Sequence, residues 1–280
     1  MLRLAPFRLL APTTLAAASR SLRRWGPKAS LMAGGTDLLP RLKRRQASPT
    51  VIVSLHRVKD FSGIRVQSDG LFIGAGATLA QVAADPLLSH YTALRQAAES
   101  AATPQIRNSA TLGGNLCLPP RCSYYDKSAL WRQAQGACLR SGNGDCHVAA
   151  GASSCRAVYS GDLAPALLVL GARALLVRGP AQRMIPLEGL FADDGAASLA
   201  KKPDEILAGV LLGPACGRSV YLKLRRRASF DYPSLGVAAC ASFGDDGGMS
   251  LCRIALGGLG PAPIVAASAE AAARLAKPVE

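Results

Sequence analysis

The feature that most restricts the fold is the alternation in the first 55 residues. Residues 7–10 read as a strand, Thr13 or Thr14 is placed to cap a helix running to Trp25, and Gly26-Pro27 ends it. "ASLMAGG" begins a second strand, residues 38–44 a short helix, and "VIVSL" a third strand. Strand, helix, strand, Gly-rich loop, helix, strand is the pattern of a small βαβαβ unit with a parallel sheet. The same segment has no acidic residue before Asp37 and is rich in Arg and Ser, a composition shared with mitochondrial transit peptides. Because its helix feeds directly into a usable loop, the segment reads as folded structure.

Past Phe61 the texture changes. "GIRV" and "LFIGAG" are short strands, Thr78 caps a helix "LAQVA", residues 86–101 are helical, and 103–116 is turn-rich loop and strand. Residues 119–158 open on Pro119-Pro120, carry one helix over 124–135 and interrupt the pattern, so they read as an insertion. The scaffold resumes at "GDLAPALLVLGARALLV" as a helix followed by a strand. After a break near 180–200, "EILAGVLL", "SVYLKLRRR", "GVAACASF" and "MSLCRIALGGL" alternate as one antiparallel sheet, and an Ala-rich helix spans 264–276. The expected class is α+β: a first subdomain over 1–55, a second over 56–180 carrying the insertion, and a C-terminal α+β domain over 181–280.

Charge narrows the partners only in part. The 33 Lys and Arg against 18 Asp and Glu give a net charge of +15, which attracts nucleic acid, anionic membranes or acidic proteins without choosing among them. No run of eighteen apolar residues is present, so no membrane span is expected. With three histidines (His56, His90 and His147) and no Ser-His-Asp or Cys-His constellation, acid–base catalysis is thinly provided. A chain of this kind suits electron transfer, where bound groups carry the chemistry.

Three constellations could hold such groups. "MAGGTDLL" follows a strand and opens a helix, so Gly34 and Gly35 let the backbone approach an anion and Thr36 adds a hydroxyl. Asp37 would repel a phosphate, and is expected to cap the helix or hold the loop. "ATLGGNL" offers a second run of backbone donors, with the Asn115 amide able to bond on both sides. Neither is a GxGxxG fingerprint or a P-loop; a plain glycine turn is the competing reading for the first. The third is a cluster of Cys122, Cys138, Cys146 and Cys155, separated by 15, 7 and 8 residues. It lacks C-x₂-C pairs, yet four thiolates satisfy either a zinc ion or a [4Fe–4S] cluster, with His147 as a further candidate. Cys117 reads as a packing residue, and Cys216, Cys240 and Cys252 as inert thiols in apolar strands. The cluster Lys223, Arg225, Arg226 and Arg227 reads as a solvated basic turn or a phosphate, ribose or acidic-partner contact. Asp162 reads as a helix cap or a ribose or nucleobase acceptor.

Taken in order, "LMAGGTDLLPRLKRR", "TPQIRNSATLGGNLC", "SGDLAPALLVLGA" and "YLKLRRRASFDYPSLGVAA…RIALGGLGPAP" resemble the FAD-binding medium subunits of the xanthine dehydrogenase and CO dehydrogenase family of molybdenum hydroxylases. The resemblance covers nearly the whole chain and implies a two-part FAD-binding domain followed by a CO dehydrogenase flavoprotein C-terminal-like domain. It places Leu31, Met32, Ala33, Gly34, Gly35, Thr36, Asp37 and Leu38 around the FAD pyrophosphate and flavin, completed by Thr111, Gly113, Gly114 and Asn115. Asp162, Leu207 and Lys223 match positions at or flanking the nucleotide end. Most of the family lacks the cysteine insertion, which with "RCSYYDKSALWR" resembles that of 4-hydroxybenzoyl-CoA reductases. By that similarity Cys122, Cys138, Cys146 and Cys155 hold a [4Fe–4S] cluster rather than zinc.

The implied role is relay of electrons from ferredoxin through the cluster and FAD. They would pass to a [2Fe–2S] subunit and a molybdenum-cofactor subunit, in a cytoplasmic dimer of heterotrimers, with no nucleic acid bound. Relatives continue past "SAEAAARLAKPVE" with further helices, so the resemblance implies a shortened C-terminal domain. Two alternatives stand beside it: a flavin subunit of an oxidative molybdenum hydroxylase, and a non-enzymatic zinc-binding basic module.

Overall fold

The computed structural model describes residues 3–215, 217–244 and 248–275. The N-terminal unit comprises β1 (Arg8–Leu10), α1 (Leu15–Trp25), β2 (Ala29–Met32), α2 (Leu38–Lys43) and β3 (Val51–Ser54), with the strands parallel in the order β1-β3-β2. Thr14 caps α1 by accepting the Ala17 N–H at 3.1 Å, and Gly26 ends it at φ 51°. Ala18, Ser19 and Leu22 face inward, while Arg23 and Arg24 sit in the last turn, where positive charge favours the helix dipole. Buried Ser19 ties this unit to the next one: its hydroxyl donates to the Asp204 carbonyl and accepts the Gly179 N–H, both at 2.8 Å.

The second sheet begins with β4 (Ile64–Gln67) and β5 (Gly70–Gly74). The chain then leaves it for α3 (Leu79–Ala84), α4 (Thr92–Ser100), α5 (Pro104–Arg107), α6 (Leu112–Leu116), the insertion with α7 (Ala129–Gln135), and α8 (Leu163–Val169). It returns as β6 (Arg173–Arg178), β7 (Ala181–Pro186) and β8 (Ile206–Leu212), giving the antiparallel order β4-β5-β8-β6-β7. Thr78 caps α3 in a full capping box with Gln81. The expected helix over 124–135 is shorter, starting only at Ala129 behind its cap Ser128. Residues 103–116, expected as loop and strand, are instead α5 and α6, because Thr103 and Thr111 each cap a short turn of helix.

The third sheet holds β9 (Arg218–Leu224), β10 (Leu235–Phe243), β11 (Met249–Gly257) and β12 (Ile264–Val265) in the antiparallel order β12-β11-β10-β9. Helix α9 (Ala267–Leu275) packs along β11, so the helix expected over 264–276 begins with a strand. Helices α4 and α8 lie between the second and third sheets, and Ala93, Ala97, Ala166 and Val169 pack with Tyr221, Ala238, Cys240 and Ala255 in a second small core.

The expected four-strand grouping is corrected at its first member. "EILAGVLL" is β8, at the centre of the second sheet, and all seven of its residues are buried. A continuous apolar run suits a strand covered on both faces, whereas β9 alternates and has one open face. The boundary expected at 180 accordingly falls in the β6–β7 turn, and the second sheet runs on to Leu212. Cys240 and Cys252 are buried thiols, as expected; Cys216 lies outside the described residues.

Candidate functional site

The glycine turn after β2 is built by close approach. A Cβ on Gly34 would stand 1.7 Å from the Ser109 carbonyl oxygen, so only glycine lets this turn lie against the segment that leads into α6. Gly35 follows at φ 72°, in the left-handed region that favours glycine. Among the described residues, the N–H groups of Gly34, Gly35, Thr36, Asp37 and Leu38 find no acceptor within the chain. Leu31 and Met32 end the strand behind them; Ala33, Gly34, Gly35 and Leu38 are half-buried and Thr36 is exposed. Five donors unused within the chain, at consecutive positions opening a helix, are of the kind a pyrophosphate takes up.

Asp37 holds the loop rather than capping α2. Its side chain makes no cap hydrogen bond; it pairs with Arg121 at very short range and with Arg41 at 3.7 Å. The two guanidinium partners offset the carboxylate charge, which lessens the repulsion expected between Asp37 and a phosphate. Arg121 was not singled out by sequence reasoning, since 84 positions separate the partners. Its guanidinium also lies 5.5 Å from the Tyr232 ring centroid, which brings the basic turn after β9 to the same place.

The second glycine motif sits beside the first but has a different character. The Gly113 N–H donates to the Ala75 carbonyl at 2.8 Å, and the Gly114 N–H to the Thr111 hydroxyl at 3.1 Å. The Asn115 N–H donates to the Thr111 carbonyl at 2.9 Å. These backbone donors are therefore already bonded, which corrects the expectation of a second free donor run. Gly113 serves close packing, since a Cβ there would meet the Ala75 Cβ at 2.7 Å. Asn115 links three elements: its side-chain oxygen accepts the Leu163 N–H, and its carbonyl accepts the Tyr159 hydroxyl, both at 3.0 Å.

Asp162 stands at the start of α8 and also makes no cap hydrogen bond. Its carboxylate instead accepts from Lys223 Nζ and from the Tyr221 hydroxyl, both at 2.9 Å, in a group that is almost fully buried. Burial raises the Asp162 pKa, with Lys223 opposing it; burial and the adjacent carboxylate raise that of Tyr221. Lys223 and Arg225 both donate to the Ser100 carbonyl, at 3.2 and 3.1 Å. Asp162 and Lys223, 61 positions apart, thus form one unit. Leu207 is separate, a core residue of β8 paired with Leu176.

The insertion is pinned at its base, where Arg121 and Val158 exchange backbone hydrogen bonds at 2.7 and 2.8 Å. Within it Cys122, Cys138, Cys146 and Cys155 all line one small pocket, together with Tyr124, Tyr125, Arg140 and His147. All four are free thiols. Cys138 is held below the usual thiol range: burial opposes this, but hydrogen bonds from the Ser141 hydroxyl and from the Arg140 and Ser141 N–H groups prevail. Cys146 is also lowered, by the Ala149, Val148 and Arg156 N–H groups acting against burial, whereas burial raises Cys155. Among the described residues no three Cys, His, Asp or Glu side chains converge at single-ion distance.

The sequence matches the family described as "FAD binding domain in molybdopterin dehydrogenase" over residues 5–214. The xanthine dehydrogenase FAD-binding subunit of Escherichia coli O157:H7 is 31% identical over 253 residues, covering 89% of this chain and 73% of that protein. The aldehyde oxidoreductase FAD-binding subunit of Escherichia coli K12 is 31% identical over 249 residues, covering 85% of this chain and 76% of the relative. In fold, the chain is similar to carbon monoxide dehydrogenase from Hydrogenophaga pseudoflava. That match has a TM-score of 0.77 and 24% identity, covering 96% of this chain and 80% of that one. With the matched segment closing just after β8, and the free-donor turn of residues 34–38 inside it, the chain belongs to the FAD-binding subunits of the xanthine and CO dehydrogenase family of molybdenum hydroxylases.

Proposed function

We propose that this chain is an electron-relay subunit holding FAD at the turn of residues 31–38 and a [4Fe–4S] cluster on Cys122, Cys138, Cys146 and Cys155. The observation that carries the reading is the convergence of all four cysteines on one cavity, in an insertion anchored beside the glycine turn. When bound, the cluster supplies one-electron transfer and the flavin mediates between one- and two-electron steps.

The chain's own residues orient these groups. Gly34 through Leu38 offer N–H donors to the pyrophosphate, and Arg121 neutralises Asp37 beside it. Thr111 caps α6, whose Gly113, Gly114 and Asn115 the resemblance places on the other side of the FAD. By the family resemblance the buried Asp162–Lys223 pair lies towards the nucleotide end, while Leu207 is a core residue of β8 apart from the turn. Ser141 and the surrounding N–H groups favour the thiolate form that a cluster ligand needs.

The insertion's resemblance to 4-hydroxybenzoyl-CoA reductases supports a complex that removes the phenolic hydroxyl of 4-hydroxybenzoyl-CoA reductively. Its molybdenum and [2Fe–2S] subunits would be partners in a dimer of heterotrimers, and ferredoxin the donor. The names of the relatives, a xanthine dehydrogenase and an aldehyde oxidoreductase, favour a second reading, in which substrate is oxidised and electrons leave through this chain. An anaerobic assay of the whole complex separates them. Reduced ferredoxin with 4-hydroxybenzoyl-CoA yields benzoyl-CoA on the first reading. Flavin bleaching by a purine or an aldehyde, without that product, supports the second. Cys138→Ser should remove iron while FAD stays bound; loss of FAD with iron unchanged would sink the assignment of ligands.

A further inference from the structure

The positive charge is unevenly placed. The first 59 residues hold twelve Lys and Arg and one carboxylate, Asp37, which gives +11 of the chain's +15. Eleven of those twelve side chains are exposed, and among the described residues only Arg23 of the eleven has an acidic partner. The densest part is the end of α2, where Lys43, Arg44 and Arg45 follow one another and Arg45 donates to the Arg3 carbonyl at 2.8 Å. This turn touches the cysteine insertion. The Gln46 side chain donates to the Asp126 carbonyl at 3.1 Å, and the Asp126 carboxylate accepts the Cys122 N–H at 3.1 Å. Lys127, next in the chain, extends the basic edge and lies 6.0 Å from the Trp131 ring centroid. On α7, Trp131 is 60% exposed and Leu130 76%.

We propose that this edge, made by Arg3, Lys43, Arg44, Arg45 and Lys127 with Trp131 and Leu130 as its apolar anchors, is a docking surface for an acidic electron-carrier protein. The carrier aspect rests on the relay reading above; the docking itself does not. Unpaired arginines and lysines around an exposed Trp and Leu reproduce the charged rim and aromatic centre of protein interfaces. An anionic membrane is disfavoured because the apolar side of α1 is already covered by the sheets and offers nothing to insert. Nucleic acid is disfavoured because Trp25, the aromatic residue on the basic α1, is flanked by Arg8 and Arg24 at 5.7 and 5.8 Å instead of presenting a free stacking face. A carrier held at this edge rests against the segment that begins the cysteine cavity.

The test uses the complex, with an acidic plant-type [2Fe–2S] ferredoxin as probe and binding measured at low and high salt. Lys43→Glu/Arg44→Glu is expected to weaken binding by at least about tenfold at low salt and to flatten its salt dependence. Trp131→Ala should weaken it by about tenfold at both salts. The charge-matched Lys202→Glu/Arg218→Glu variant should change it by less than about twofold. Equal weakening by both double variants would show a field of the whole protein without a docking face, and overturn the proposal. So would tighter binding of random duplex DNA or anionic vesicles through the same residues. Cys138→Ser separates the two layers: if the cluster assignment fails, iron analysis shows it, while carrier binding to this variant still reports on the edge.

Discussion

Replacing Gly34 by Ala tests how the flavin turn is seated. The added Cβ would lie 1.7 Å from the Ser109 carbonyl oxygen and 2.6 Å from its carbon. Ordinary contact is near about 3.3 Å, so the turn must retreat by about 1.5 Å from a backbone that has no rotamer to yield. Overpacking of this kind costs about 1–3 kcal/mol, which for a chain of this size lowers Tm by about 4–8 °C at the middle of that range. The same retreat displaces the N–H groups of Gly34 to Leu38 by half a hydrogen-bond length. Losing one charge-assisted bond to the pyrophosphate costs about 1.5–3 kcal/mol, or at least about tenfold in FAD affinity. Differential scanning fluorimetry and flavin fluorescence titration read the two effects. Gly114→Ala is the comparison, because its Cβ would stand 3.0 Å from the Thr111 hydroxyl and need only a small shift. If Gly34→Ala binds FAD with unchanged affinity and melts like the wild type, the close approach does not position the turn and the reasoning fails.

Two further outcomes follow from ion pairs inside the fold. Hydrogen bonds from Arg178, with help from Arg23, hold the Asp204 carboxyl at about 2, below its unfolded value of 3.8. Its contribution is therefore complete above the unfolded pKa and lost as pH falls towards 2. Because both arginines are about half-exposed, Asp204→Asn should cost only about 1 kcal/mol at pH 7, vanishing near pH 2 in urea titrations across that range. Lys223→Met leaves the buried Asp162 carboxylate without its counter-charge and should cost about 3 kcal/mol, with Asp162→Asn in the same chain restoring much of it. A single-variant cost below about 1 kcal/mol would show that Asp162 is already neutral.

Local signals in the sequence were reliable where chemistry is local. Thr14 and Thr78 cap where a hydroxyl preceding an apolar period should, and the parallel unit follows from alternation over consecutive elements. Partners far apart in the chain were not legible. Nothing in "GGTD" announces that Asp37 meets Arg121, and Asp162 looks like an ordinary cap until Lys223 and Tyr221 are brought to it by the third sheet. The sheet to which β8 belongs is not legible in its sequence, because periodicity distinguishes a covered run from an alternating one but does not name its neighbours. "ATLGGNL" was misjudged for a related reason: its glycines are needed by Ala75, 38 positions earlier, and its N–H groups are used there and in its own cap. The cysteines were visible by their density, but spacing could not say whether they converge. The basic, acid-poor composition of the first 59 residues is readable by counting, but only the fold shows which of those charges lie beside the cysteine insertion.

The central claim is that one chain holds both a flavin and an iron–sulfur cluster. Its most direct test is anaerobic purification followed by flavin, iron and acid-labile sulfide analysis with an absorption spectrum. The account predicts one FAD with about four irons and four sulfides per chain, the iron lost in Cys138→Ser. One FAD with stoichiometric zinc, or FAD with no metal at all, would contradict it.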